Sequence, residues 1–438
     1  GAASLQWNAN ITSGAIKLLA VAPITIAGNL NTTSEYKAVT TYRSKLLGQP
    51  ESIFIETLAA DAVSQNAMTI NAALATDGKL ELLSQADLHF AAATAGAKAH
   101  TLVMNAKGSF KNRGSLLAYK KLRVDALNNE DPTILIGANL IENRGNIEIS
   151  DQKENADHTL ETPKVSGTLT MTSNTHLSNS FGGVLKAKTI NLVAHSGRIR
   201  NGSLYAFDDP AKEQVAIPSI THDTSTISTL SALPVSDTLP YANPKAVIQG
   251  YVVALSAGTA IENINPYMAP IKPGSDEDIH ARVSREAQAH VDDVGIEAVS
   301  TLSLSAATYV LNSSASIGVS EFSLTPSFIV KTPLLRNERY YSYTVMDAVD
   351  ETQQVVEQNQ GSTTTTTSTA KGVKARFGFY SPPGILYSFA PVQMDFGNDS
   401  ANTTAGLLNN AGFVDVYSSL NLFGKGKVTS LGVKLDKL

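Results

Sequence analysis

Two groups of titratable side chains in this chain have the makings of a reactive site. In the first, His280 and His290 stand among Asp276, Glu277, Asp278, Asp292 and Asp293. Such a set would suit a metal ion or acid–base chemistry. Ten residues on a helix turn the chain through about 1,000°, which leaves the two histidines about 80° apart. There is no His-Glu-x-x-His pair. The acidic run 276–278 suits a helix amino terminus, where the dipole favours negative charge. The second group is Glu142, Glu148, Asp151 and Glu154, with Arg144, Arg198 and Arg200 as the cations at hand. Carboxylates and arginines gathered on one face of a stacked-strand protein would suit cleavage of an acidic polysaccharide. Their turn positions fit solvated corners better. Ser-His-Asp signatures, phosphate loops and dinucleotide fingerprints are all missing from the sequence. The expectation is a non-catalytic chain with no metal and no cofactor.

A third group points to binding. Tyr340, Tyr341, Tyr343, Phe379, Tyr380, Tyr387 and Phe389 crowd into the segment 334–397. Tyrosine offers contact area at little entropic cost and is enriched at interface hot spots. The competing reading is a hairpin whose aromatics pair across strands on the flank of a larger body. A threonine run at 363–367 marks a flexible tip near 358–370.

The elements that must hold these groups come from a repeat. An apolar residue, any residue, Asn, a short gap with Gly, and then an apolar strand recur at Phe110-Lys-Asn112, Ile141-Glu-Asn143, Leu177-Ser-Asn179 and Ile199-Arg-Asn201. Alternating runs such as Ile190-Asn-Leu192-Val-Ala194 lie between the copies. Period-two alternation with turns at regular intervals predicts strands stacked coil on coil, about 20 residues to the coil. The expected fold is all-β, a right-handed parallel β-helix of about 15 coils and roughly 70 Å. Asn112, Asn143, Asn179 and Asn201 are the structural turn positions. They would either hold a left-handed backbone or point inward and bond the next coil. The neighbouring glycine would supply a second unusual dihedral.

Proline and composition divide the chain. Coils are expected over 1–207, 247–263, 294–333 and 398–438. A loop insertion spans 208–246, an insertion with one short helix spans 264–293, and the aromatic hairpin-like excursion spans 334–397.

Bulk properties agree with a narrow solenoid. Of 438 residues, 42% are hydrophobic, but only 6% are aromatic and 17% charged. A net charge of −5 argues against a nucleic-acid surface. There is no cysteine, which excludes disulfides and thiolate metal sites and leans towards a bacterial exoprotein. No run of apolar residues is long enough to span a membrane. Neither a signal peptide nor a secretion domain is evident, so the chain reads as an interior fragment of a longer protein.

The Asn-x-Gly turns and Leu-x-Ala or Ile-x-Leu strands resemble the haemagglutinin repeats of bacterial two-partner secretion exoproteins. That family includes the filamentous haemagglutinin adhesins and the filaments of contact-dependent growth inhibition. The resemblance covers roughly 101–207, 247–263, 294–330 and 405–435. It implies a surface or secreted filament of a Gram-negative bacterium, exported by an outer-membrane transporter partner. The implied role is adhesion or contact-dependent toxin delivery. The insertions and the aromatic module depart from the family pattern. Irregular, decorated coils suggest recognition of an outer-membrane protein or surface glycan on a target cell, by a monomer that does not bind nucleic acid. The alternatives are a polysaccharide-active β-helix enzyme and a trimeric phage tail-spike-like fibre.

Overall fold

Alternating sequence gives alternating burial. Lys79–Ser84 buries Leu80, Leu82 and Ser84 and turns Lys79, Glu81 and Leu83 outward. A strand with one buried face must stack on others to complete its hydrogen bonds, and here it does so in parallel. The computed structural model describes residues 4–12, 15–32, 52–59, 66–122, 131–153, 164–202, 245–267, 269–271, 290–339, 341–348, 353–359, 362–366, 373–397, 405–410 and 412–431.

Those residues form a parallel β-helix with three faces. On the first face thirteen described strands stack in register from Leu5–Trp7 to Lys427–Leu431. Twelve steps at the usual strand spacing make a rod of about 58 Å. The second face runs through Ala73–Ala75, Gly96–Ala99, Ser115–Leu122 and Asn146–Lys153 to Phe413–Val416. The third runs from Ala15–Ala20 to Leu420–Phe423. One short antiparallel pairing, Ser150 with Val165 and Asp151 with Lys164, interrupts the parallel order.

The core is made of columns. Leu80, Leu102, Ile134, Leu169, Ile190, Val253 and Leu302 succeed one another on the third face, all fully buried. Each such side chain contributes about 1.5–3 kcal/mol by leaving water. Burial is thus continuous along the axis, and each coil depends mainly on its neighbours.

A second sheet stands apart from the parallel one. It has five antiparallel strands in the order Ala269–Ile271, Val373–Tyr380, Tyr341–Ala348, Gln353–Asn359 and Ser362–Thr366. The segment 334–397 therefore divides. Leu334–Glu338, Ile385–Ser388 and Val392–Asp395 are rod strands, and the strands of the antiparallel sheet that it contributes fall between 339 and 384. Part of the threonine run expected as a flexible tip, Thr363 to Thr366, pairs with Val355–Gln358. The helix expected within 264–293 lies outside the described residues, apart from a 3-10 turn at Val291–Asp293.

Candidate functional site

The corner between the first and second faces carries the repeat's asparagines. Asn112, Asn143, Asn179, Asn201, Asn263, Asn312, Asn337 and Asn409 all point inward and are buried. Each Nδ2 donates to the Oδ1 of the next, at 2.8 to 2.9 Å, from Asn112 through to Asn409. The same amides reach backbone carbonyls, as in Asn143 to Gly145 at 3.0 Å and Asn263 to Ser316 at 2.8 Å. Oδ1 of Asn112 accepts from the Gly114 amide at 3.0 Å. The ladder thus gives partners to corner groups that a dry core would otherwise leave unsatisfied.

None of these asparagines holds a left-handed backbone. Among the described non-glycine residues only Phe181 and Ser314 do, and both sit in the turn after a ladder asparagine. The inward reading is therefore the observed one. Gly145 likewise serves close approach: a Cβ there would collide with the Gly114 carbonyl oxygen and meet Asn112 Nδ2 at 2.9 Å. Its φ is not in the left-handed range, so the role at Gly145 is steric, whereas Gly202, directly after Asn201, has the expected unusual dihedral with φ +92°.

At this one corner three long stretches of sequence separate a first-face strand from the second-face strand that follows it: between Gly202 and Ala246, between Ile264 and Val294, and between Glu338 and Ile385. The five-stranded sheet draws strands from the second and third of them. In contrast, the coil with Asn312 closes the same corner with Ser314 and Ala315 alone.

The aromatic set is divided by this topology. Tyr341, Tyr343, Phe379 and Tyr380 lie on the antiparallel sheet, with Tyr343 opposite Phe379 and Ser342 opposite Tyr380. Tyr340 lies outside the described residues. Tyr387 and Phe389 belong to the rod. The Tyr387 ring covers Gly318 in the coil below. Burial, followed by the charges of Glu297 and Asp292, raises the Tyr387 pKa.

Sequence analysis did not single out the corner between the second and third faces. There Tyr251, Val299, Ser320, Phe389 and Tyr417 align over successive coils. Phe389 and Tyr417 stack with centroids 4.5 Å apart and planes 3° from parallel. Phe322 and Leu324, on the loop just past Ser320, are 67% and 85% exposed. The Tyr251 hydroxyl donates to Glu321 Oε2 at 3.0 Å. A hydrogen bond to Asp415 raises the Tyr417 pKa. Two of these aromatics follow a strand directly, and the sequence offers no other mark of the strip.

Among the described residues the titratable groups singled out from the sequence are spread over different faces. Glu142 sits on the first face, 3.9 Å from Lys111 Nζ, while Glu148 and Asp151 are on the second face, in the strand Asn146–Lys153. Glu154 is outside the described residues. Arg144 packs over the Phe181 ring at 4.7 Å. Arg198 and Arg200 instead converge on Glu262, which the sequence reading passed over. Arg200 Nε lies 2.8 Å from Oε2, Arg198 Nη1 3.2 Å from Oε1, and the Tyr309 hydroxyl donates to Oε1 at 2.6 Å. Burial pushes the Glu262 carboxyl up, but Arg200, the Tyr309 hydrogen bond and Arg198 together hold it below its ordinary value. Burial, and then Glu262, push Tyr309 up to about 12. A carboxylate with both oxygens engaged and a lowered pKa is poorly suited to general acid work.

His290 bonds Asp293 at 2.7 Å and stacks on Tyr267 at 4.0 Å. His280 and Asp276 to Asp278 lie outside the described residues. Among the described residues no three His, Cys, Asp or Glu side chains converge on a metal site, and no helix is long and apolar enough to cross a membrane.

The functional reading must rest on the rod itself and on what leaves it, because the chain matches no protein-family model, no curated protein and no solved structure.

Proposed function

We propose that this chain is a non-catalytic recognition segment of a bacterial cell-surface filament, engaging an outer-membrane protein or surface glycan on a neighbouring cell. The observation that supports it is the departure of three long excursions from a single corner that the asparagine ladder keeps closed. A spacer needs only reach, and regular coils supply it. The three longest insertions between described strands share one corner, and on a rigid scaffold such insertions are where binding loops sit. The resemblance to two-partner secretion exoproteins supplies the setting: export through an outer-membrane transporter, and adhesion or toxin delivery at the surface.

The test is binding of the labelled chain to intact Gram-negative cells. The companion variant replaces 339–384 with Ser-Ala, the closure used after Ser313 in the preceding coil. Saturable binding by the parent, lost in the variant while its circular dichroism stays β-rich, is the expected result. Absence of saturable binding to both bacterial and host cells overturns the reading.

A further inference from the structure

The antiparallel sheet has two edges, and the sequence treats them differently. One edge strand is Ala269–Ile271, three residues long, with Pro270 opposite Phe379. Proline has no N–H to give, so that edge lacks a donor at its centre. The other edge strand is Ser362–Thr366, whose five residues all pair with Val355–Asn359 without a bulge. Among the described residues it has no strand on its outer side. From this open edge we infer that the sheet receives an extended polypeptide segment of a target-cell protein as its sixth strand. The inference rests on the recognition reading and narrows its partner to a protein.

In an antiparallel ladder alternate residues turn their N–H and C=O groups away from the neighbouring strand. Alternate residues of Ser362–Thr366 therefore present these groups on the outer side. Sheets ordinarily blunt such an edge with Lys, Pro, a bulge or an inward-pointing charge. Residues 362–366 contain no charged residue, no Pro and no Gly. Four of the five are threonine, which favours strands. The neighbouring Val355–Asn359 carries one charge, at Glu357. This side of the sheet thus keeps its pairing groups and has little charge to turn a neutral segment away.

A row of alternating donors and acceptors is answered bond for bond by another polypeptide backbone. In strand addition those main-chain bonds supply the affinity, and alternate side chains supply the specificity. A glycan has no such row. A second copy of this chain fits less well. A stable pair of globular proteins buries about 800 Å² on each side, over 20–30 residues, and an edge of five residues falls well short of that. A threonine run set against itself also fixes no register, because shifting it opposes the same side chains again. A segment with differing side chains at alternate positions fixes its own register. Cross-strand pairing with threonine favours β-branched and hydroxyl residues opposite. The segment is therefore extended, uncharged and rich in Val, Ile, Thr or Ser.

The experiment measures binding of the full chain to membrane vesicles prepared from the bacterial and host cells of the binding test. The vesicles are used untreated, shaved with protease, or oxidised with periodate. Of the adjacent Thr364 and Thr365, one directs its N–H to the neighbouring strand and the other directs it outward. Thr364→Pro and Thr365→Pro therefore place one ring on the bonded side and one on the open side. Saturable binding should be lost on shaving and kept after periodate. The outward proline should weaken it about ten-fold or more while the circular dichroism matches the parent. Amide hydrogen exchange across 362–366 should slow in the vesicle-bound parent, a readout that needs no variant. Binding that survives shaving or both prolines, or exchange that does not slow, overturns the inference and leaves the recognition reading intact. A parent dimer by light scattering that the outward proline dissolves gives the edge to a second copy and also overturns it. Absence of saturable binding to every vesicle and cell overturns both readings.

Discussion

Asn201 and Ala246 are 45 positions apart, yet the Asn201 side chain donates to the Ala246 carbonyl at 2.8 Å. Asn179 makes the equivalent contact with Gly183 across four positions, and Asn312 with Ala315 across three. At Asn201 the corner therefore closes across 45 positions as it does elsewhere across three or four, while Asn263 and Asn337, before the other two long stretches, donate to Ser316 and Phe413 of the next coil. Loop closure grows only as the logarithm of length, about 0.6 kcal/mol for each doubling. Once the ladder satisfies the corner's polar groups, an excursion from it adds little further strain. This is the physical reason that one edge of the rod can be elaborated while its core stays regular.

The middle of the ladder should be its most sensitive part. Asn201→Ala removes donors to Asn263 Oδ1, Ala246 and Gly295, and takes the acceptor from Asn179 Nδ2. Each buried group left unsatisfied costs about 1–3 kcal/mol. Amide hydrogen exchange should show faster opening of coils on both sides of 201. Asn409→Ala, at the last described rung, should loosen only the terminal coils. Equal, global effects from the two changes would refute the nearest-neighbour account of the rod.

Much of this rod is written in the sequence, because a one-residue error in register would turn every buried side chain outward. Phe110, Ile141, Leu177 and Ile199 announce the first face, and the Asn two residues on announces the corner. Leu335-Arg-Asn337 carries the same signature, but it was absorbed into the aromatic segment on composition. At Asn409-Asn410 the doublet hid which residue points inward. Pairings across long separations leave no local mark: Ala269–Ile271 with Val373–Tyr380, or Phe389 on Tyr417. The same holds for Glu262, whose partners Arg198 and Arg200 come from the preceding coil across an excursion.

Close approach and backbone conformation make different demands on glycine, and two substitutions separate them. Gly145→Ala drives a Cβ into the Gly114 carbonyl oxygen, with Asn112 Nδ2 2.9 Å away. Backbone cannot yield as a side chain tip does, so the loss should be about 3 kcal/mol or more. Gly397 has φ +73° with nothing within 4 Å of an added Cβ. Gly397→Ala should cost only the conformational penalty, about 1–2 kcal/mol. Urea midpoints under matched conditions check the order. A larger shift for Gly397→Ala would mean that dihedral strain outweighs close approach in selecting glycine at the turns of this rod.

Two carboxylates should titrate stability in opposite directions. The folded pKa of Glu262 lies below its ordinary 4.5. Its carboxylate therefore adds stability above the unfolded value, and that gain is lost as pH falls through the folded value. Glu262→Gln should weaken the rod at neutral pH, with the deficit shrinking in acid. Glu297 is raised, first by burial and then by Asp292, against a lowering from the Ser316 hydrogen bond. Its folded state favours the proton, so its contribution is fully present below the unfolded value and is lost as pH rises through the folded one. Glu297→Gln should gain on the parent at about pH 8 relative to about pH 4. Thermal midpoints across that range, for both variants, distinguish the two signs; parallel curves would contradict both assignments.

Tyr387 and Gly318 form a pair whose energies should not add. The Tyr387 ring occupies the space a Gly318 Cβ would need, and it shields that strand from solvent. Removing the ring alone, by Tyr387→Ala, exposes a glycine strand and loses the burial of an aromatic. Adding a methyl alone, by Gly318→Ala, forces the ring away. In the double variant the methyl no longer meets a ring, and alanine suits a strand better than glycine does. The double variant should therefore lose less than the sum of the single losses, with a coupling in the range of about 0.5–3 kcal/mol found for residues in contact. Additive losses in urea unfolding would show that the ring is not held over Gly318 in solution.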